Sequence, residues 1–486
     1  MEPFDLLITG ADVIDGTGAA RRRADVGVRG DRIAEVGDLT GRAAKETVDG
    51  TGLVLAPGFI DVHTHDDRLV LDQPGMAPKT SQGVTTVVAG NCGVSLAPFD
   101  CTCRAHEASP PGPMALLGKW GDYRYPTLDA YFDAFDAAPA AVNVAMLVGH
   151  TTLRASVMDR FDRAATATEI DAMAKTLEGA LAAGAVGMST GLAYPTAIHA
   201  PTEEVIALAK CLKHYNGLYT THMRDEGAGL VESVDETIAI AEAAGADAVI
   251  SHHKCVGRDN WGKSAQSLAR IGAAQKHMNL NFDVYPYTAT STILIKDFLS
   301  TSEKTVLTYS QTHPEMAGRD FQSIVDEWGC SEEAAIERLS PAGAVYFRMD
   351  EGELRRIMAY PGAIIASDGL YMEGGRPHPR LWGTFPRVLG HYCRDEGLMS
   401  LEEGVHRMTG KPAGVFGLKD RGEIRAGAFA DLVLFDANAV VDTATFEDPE
   451  QPAAGIERVY VNGRLVWHDL AWTGARPGKR LSRATA

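Results

Sequence analysis

Two histidines one residue apart, His63 and His65, close the run Gly58-Phe59-Ile60-Asp61-Val62. Side chains on a strand alternate between its faces with a period of two. If the strand continues through residue 65, both imidazoles leave the same face at its C-terminal end. Taken alone, His-x-His is equally at home in a polar surface loop. Other groups of complementary chemistry recur further on, each just after an apolar run. They are Cys92 in Gly-Asn-Cys-Gly, His222 in Thr-His-Met-Arg-Asp-Glu, His252 and His253 in Ser-His-His-Lys, and Asp368 in Ala-Ser-Asp-Gly. Cys92 alone reads as a small buried hydrophobe, a lone histidine as a satisfied core residue and Asp368 as a helix cap. Together they offer thiolate, imidazole and carboxylate at the ends of five apolar runs, which is a metal site's inventory.

Zinc is the ion this donor set favours. A thiolate and two imidazoles leave a fourth position for water, as a catalytic site requires, whereas a closed structural site uses all four. Calcium and magnesium ask for oxygen donors. Of His252 and His253, adjacent on a strand, only one can face the metal. We assign His252 and leave His253 to packing.

The elements that must position these groups are legible as a rhythm. Strand-like runs occur at residues 53–62, 84–90, 143–149, 185–190, 217–222, 247–252, 280–286 and 363–368. Helical patterns lie between several of them, as at 167–184 and 230–245, with apolar residues three and four apart and a terminal glycine. Eight strands alternating with helices predict an α/β fold, a (β/α)8 TIM barrel; a doubly wound sheet is the alternative. Strand ends in a barrel converge on one mouth, which brings the five metal-type segments together. Both ends of the chain read differently, as short alternating strands broken at Gly-Asp and Asn-Gly turns. They predict one small β-sandwich built from residues 1–55 and 416–486, around a barrel spanning 56–415. The stretch 288–362 is too long for a βα loop and carries helical patterning of its own, so it reads as an inserted lid.

Composition narrows the partners. A net charge of −18 argues against nucleic acid and anionic membranes, though not against a small anionic substrate. No apolar run approaches the ~20 residues that cross a bilayer. The start Met-Glu-Pro-Phe lacks the basic, then apolar, pattern of a signal peptide. Seven cysteines without a scaffold spacing predict no disulfide framework, and the Cys101-Thr-Cys103 pair fits neither a metal nor a redox motif. A reducing cytoplasm is the expectation, and the oligomeric state is open.

Along nearly its whole length the chain resembles the amidohydrolase superfamily, and within it the N-acyl-D-amino-acid deacylases. The resemblance is carried by residues 54–67, 83–98, 148–154, 221–226, 251–254, 283–292, 366–369, 377–389 and 430–436. It implies a distorted barrel with a small β-sandwich from both termini. It also implies a tight zinc on Cys92, His222 and His252, with His63, His65 and Asp368 lining a second, weaker position. Many relatives bridge two metals with a carboxylated lysine after the fourth strand. Here that segment, Gly-Met-Ser-Thr-Gly-Leu-Ala-Tyr-Pro-Thr, has none, which favours an effectively one-metal arrangement.

The chemistry implied is amide hydrolysis. Bound zinc acidifies water and polarises the carbonyl. Asp368 is then the proton shuttle from water to departing amine, with His63 or His65 beside the oxyanion. The substrate's α-carboxylate falls to Arg380, Lys254 and Tyr285, with Ser291 a weaker member of the set. Lys296, just past Tyr-Pro-Tyr, is the one cation in an apolar stretch at the lid's start. We expect it to face solvent and the substrates to be N-acyl derivatives of neutral, hydrophobic D-amino acids. The alternatives are an N-acyl-D-glutamate or D-aspartate deacylase, a hydrolase of cyclic amides or dipeptides, and a metal-binding protein without catalysis.

Overall fold

A computed structural model of the chain describes residues 2–104 and 107–483. Eight parallel strands form the barrel: Phe59–Asp61, Val84–Ala89, Asn143–Gly149, Gly187–Gly191, Leu218–His222, Asp247–Ile250, Leu280–Val284 and Ala363–Ile365. They are hydrogen-bonded in chain order from first to eighth. Most are buried on both faces, which is why they read as unbroken apolar runs rather than alternating ones. Ile60, Val88, Leu147, Val249 and Ile364 meet in one cluster, which Phe416, Leu418 and Leu481 join.

Helices cover the outside for the reasons their sequences announce. The helix Ala167–Ala182 starts at a capping box, in which Thr166 accepts from the Glu169 amide and Glu169 reaches back. It buries Met173, Leu177 and Leu181, at about 1.5–3 kcal/mol per large side chain. Replacing Thr166 by Ala would cost about 1 kcal/mol. The helix Leu230–Ala244 stops at Gly245, whose φ of 64° is left-handed.

The terminal strands form one continuous nine-stranded sheet. Its inner face buries Leu6, Ile8, Val26, Leu55, Leu432 and Leu434 in a single cluster, so the sheet wraps round its own core. The expected boundary between residues 55 and 56 falls inside a strand of this sheet, Val54–Pro57. The apolar run 53–62 is thus cut in two. The Gly58 amide donates to Asp431 in the terminal sheet at 2.8 Å, and the next amide, Phe59, donates to Gly83 in the barrel at 2.9 Å. Gly58 is required there, because a Cβ would lie 2.2 Å from Thr85 Cγ2.

Within 288–362, a three-stranded antiparallel sheet of Ala289–Ile293, Lys304–Ser310 and Ala342–Phe347 sits with short helices over its own apolar cluster. The last helix of that stretch, Glu351–Ala359, packs on Lys263–Ala274 and the eighth strand instead, so it belongs to the barrel wall.

Among the described residues no ladder joins the eighth strand to the first. The seam is closed beyond the strand ends, where the Asp368 amide donates to the His63 carbonyl at 2.8 Å and the His65 amide to the Gly369 carbonyl at 3.0 Å. Among the described residues no helix is long and apolar enough to cross a membrane.

Candidate active site

The barrel mouth gathers the polar residues. His222 is the last residue of the fifth strand, while Cys92, His252 and Asp368 follow theirs by two or three residues. The first strand ends at Asp61, short of the expected continuation to residue 65. His63 and His65 instead lie on an extension held by the Thr64–Gly369 bridge. They still share a side, since both Nε2 atoms approach Asp368 Oδ1, at 3.4 and 3.2 Å.

Among the described residues, three of the nine non-glycine residues with positive φ are here: Cys92 at 51°, His252 at 38° and Asp368 at 50°. Left-handed backbone is costly for side chains of this kind and persists where the surroundings impose it, characteristically at functional sites.

The donors are close-packed. Cys92 Sγ is 3.2 Å from His63 Nε2 and 3.3 Å from His252 Nε2, which is itself 2.9 Å from His222 Nδ1. Ligand atoms of His63, Cys92, His252 and Asp368 all lie within 4.8 Å of one another, as do those of His222, Glu226 and His252. A tetrahedral ion with zinc's bond lengths has ligand-to-ligand edges of about 3.3–3.7 Å. The soft thiolate, the imidazoles and the 3.2 and 3.3 Å spacings about Cys92 Sγ suit zinc.

Burial pushes the Cys92 thiol up, but His63, His252 and the hydrogen bond from His222 outweigh it and hold it well below the usual thiol range. Burial likewise opposes ionisation of Asp368, and Arg380, His63 and His252 overcome it, leaving a carboxylate. His253 turns away to Ser267 Oγ at 2.9 Å, and burial pushes it down to about 3, so it is neutral. Cys101 packs against the main apolar core, and the Cys103 side chain lies outside the described residues.

Two carboxylates that the sequence reading did not single out brace this cluster. Asp283, in the seventh strand, meets His63 Nδ1 at 3.2 Å and accepts the His252 amide at 2.8 Å. Glu226 meets His252 Nδ1 at 3.0 Å and Lys254 Nζ at 2.7 Å. Such partners fix the tautomer and aim of a ligating imidazole. Asp283 was discoverable as a lone acid inside an apolar strand, and Glu226 as the acid four residues after His222. Behind the seam, buried Lys79 joins Asp61 at 2.8 Å, Asp66 at 3.4 Å and Ser367 Oγ at 2.9 Å. Each of those residues stands one or two positions from His63, His65 or Asp368.

Of the residues expected at the α-carboxylate, Lys254, Tyr285 and Ser291 line the cavity at the mouth, whereas Arg380 is buried beside Asp368 and Tyr285 and does not line it. Arg380 Nη2 reaches Asp368 Oδ2 at 2.8 Å and the Ser291 carbonyl at 3.2 Å. Its Nε and Nη1 are buried with no hydrogen-bond partner among the described residues. The Tyr285 ring lies 4.5 Å beneath that guanidinium and 5.5 Å from Lys254 Nζ. Lys254 itself is engaged with Glu226 and with His252 Nδ1, at 2.6 Å. Val94, Pro113, Leu116, Leu117, Phe298 and Leu370 supply apolar wall. Lys296 lies outside the cavity, exposed and paired with Glu333.

A parallel eight-stranded barrel with thiolate, imidazole and carboxylate converging at its mouth defines a metal-dependent barrel hydrolase. The chain belongs to the amidohydrolase family, which it matches over residues 46–317 and 320–467, and groups within it with the N-acyl-D-amino-acid deacylases. It is 52% identical to a D-aminoacylase of Alcaligenes xylosoxydans xylosoxydans, across 100% of this chain and 99% of that one. An N-acyl-D-aspartate deacylase of the same organism is 46% identical, across 99% and 96%. Among solved structures, a D-aminoacylase superposes with a TM-score of 0.95 at 50% identity, covering 99% of this chain and 100% of that one. The zinc- and phosphonate-bound N-acyl-D-glutamate deacylase of Bordetella bronchiseptica does so at 0.92 and 45%, with the same coverage.

Proposed function

We propose that this protein is a zinc-dependent N-acyl-D-amino-acid deacylase, which hydrolyses the amide to a carboxylate and a free D-amino acid. The observation that carries the reading is the convergence of Cys92, His222 and His252 beside ionised Asp368, in a chain similar to D-aminoacylases from end to end. Cys92, His222 and His252 would hold the tight ion, and His63, His65 and Asp368 a weaker second position. Zinc bound there supplies Lewis acidity towards the amide carbonyl and brings the pKa of water down towards about 7.

The chain's own residues do the rest. Asp368 takes the proton of the attacking water and returns it to the amide nitrogen, so that the C–N bond breaks towards an amine and not an amide anion. His65, 3.2 Å from Asp368 Oδ1, is placed to donate to the developing oxyanion. The unpaired Nε–H and Nη1–H of Arg380 are each free to donate a single charge-assisted hydrogen bond to a carboxylate oxygen, with Lys254, Tyr285 and Ser291 nearby. The apolar wall and the outward Lys296 support neutral, hydrophobic side chains. Preference for the D enantiomer rests on the relatives. A thiolate ligand must stay reduced, which supports a cytoplasmic setting, and the acidic surface supports no nucleic-acid or membrane partner.

Incubation with N-acetyl-D- and N-acetyl-L-methionine, scored for free amine, tests the proposal. Release from the D form alone is expected. Release from neither, with zinc bound, would refute it.

A further inference from the structure

Lys79 is wholly buried, and so are the three residues it grips, Asp61, Asp66 and Ser367. Its ammonium has three N–H donors. Two bond to Asp61 Oδ2 and Ser367 Oγ, and the third is left for Asp66 Oδ2 at 3.4 Å. Ser367 Oγ is saturated in turn, donating to Asp61 Oδ2 at 2.6 Å and accepting from the Gly369 amide at 2.9 Å. The Ser367 amide donates to the other oxygen of Asp61, also at 2.9 Å. Gly369 leaves room for the ammonium, because a Cβ there would lie 2.8 Å from Nζ.

These partners stand on both sides of the seam. Asp61 ends the first strand two residues before His63, and Asp66 directly follows His65. Ser367 directly precedes Asp368, beyond the eighth strand. Lys79 itself comes from a third element, the short helix Ala77–Thr80, which packs on the helix Arg380–Arg387. Gln82, three residues after Lys79, donates to the Leu381 carbonyl at 2.8 Å and accepts from the Phe385 amide at 3.2 Å. None of the residues that Lys79 grips adjoins Cys92, His222 or His252 in the chain.

Stability is a poor reason to keep such a cluster. Taking an ammonium and two carboxylates out of water is costly, and apolar side chains of similar volume commonly hold a fold as well. The seam is already joined by two backbone bonds, Asp368 to His63 and His65 to Gly369. What Lys79 adds is direction. It ties the histidine-bearing segment and the aspartate-bearing one to a common point, without lining the cavity itself.

We propose that Lys79 is a positioning residue for hydrolysis. Through Asp61, Asp66 and Ser367 it sets how His63 and His65 face Asp368, and with that the path of the proton from water to departing amine. This rests on the deacylase reading, in which Asp368 carries that proton, and gives a part in it to a residue outside the cavity.

The test reads kcat and KM for N-acetyl-D-methionine, with kcat expressed per tightly bound zinc, beside a thermal melt. A residue that only props the fold would lower zinc content and activity together, leaving kcat per zinc unchanged. Lys79→Met alone strands two buried carboxylates, so the decisive form is Lys79→Met/Asp61→Asn/Asp66→Asn, which removes the cluster's charges. It should melt close to the wild type. Its kcat per zinc should nonetheless fall by about 10- to 100-fold, with KM within about twofold, as for intact groups that are wrongly aimed. Ser367→Ala cuts only the link to the eighth strand and should lower kcat per zinc by a smaller factor. Wild-type kcat per zinc in either variant would overturn the proposal, as would a loss that falls on KM alone. Ser367→Ala decides the matter even if the triple variant does not fold. No turnover by the wild type would refute the deacylase reading and, with it, this role.

Discussion

Asp368 and His63 meet twice, once through the backbone, amide to carbonyl at 2.8 Å, and once through side chains, Oδ1 to Nε2 at 3.4 Å. The first contact helps close the barrel and the second helps build the site. The proposed proton shuttle is therefore positioned by the same joint that brings the eighth strand back to the first.

Asp368→Asn keeps this joint and removes the capacity to accept a proton. The expected result is a fall in kcat of about 10²-fold or more, with the fold intact. Steady-state kinetics beside a thermal melt would check it. Undiminished kcat would move the proton transfer elsewhere.

Cys92 is the single soft donor of the cluster, and Cys92→Ala should abolish tight zinc binding while the barrel remains folded. Elemental analysis of purified protein reads this directly. One zinc per chain in the variant would show that the thiolate is dispensable.

Asp283 grips both His63 Nδ1 and the His252 amide, so Asp283→Asn should loosen two imidazoles at once. Zinc affinity should drop by about 10- to 100-fold, the usual cost of losing an outer partner of a ligating histidine. Competition with a chromophoric chelator measures it. Wild-type affinity would mean that the histidines hold their aim without the carboxylate.

Acid should unfold the protein partly through a buried carboxyl outside the zinc cluster. Glu204 is paired with Arg154 and lies 3.0 Å from His150 Nε2. Burial opposes its ionisation, yet His150, the Ala165 amide and Arg154 together bring it down to about 2. A carboxyl depressed in the fold contributes stability above its unfolded value of about 4.3, and that contribution is lost as pH falls towards 2. Burial holds His150 down as well, so the unfolded chain takes up its proton first, below about 6.5, and the sign is the same. Stability against urea should decline continuously from about pH 6.5 to 3, and less steeply in Glu204→Gln. Identical slopes would discount this triad.

Much of this architecture is written locally, and what is not local is what the sequence hides. The barrel strands are short apolar runs buried on both faces, and caps such as Thr166 and Gly245 announce themselves within a few residues. The cluster at the mouth was legible because every ligand-type residue follows such a run, so that topology alone assembles them. The side of the lid that faces the substrate was not. Lys296 stands next to the recognised motif and turns out to solvent. Arg348, far downstream, reaches the cavity because Ser291 pairs with Val345 and Ala289 with Phe347. No periodicity in one segment encodes the register of two distant ones. The left-handed backbone at Cys92, His252 and Asp368 is equally invisible, because none of these residue types advertises it as glycine does.

Gly58 leaves no slack between the two bodies of the protein. With successive amides anchored in the terminal sheet and in the barrel, nothing there can act as a hinge, and the terminal sheet rides rigidly with the barrel wall. Traffic through the mouth then falls to the segments that wall it, the inserted lid and the 113–117 stretch. A crosslink between terminal sheet and barrel should leave turnover untouched, whereas one pinning the lid strands to the barrel rim should slow product escape.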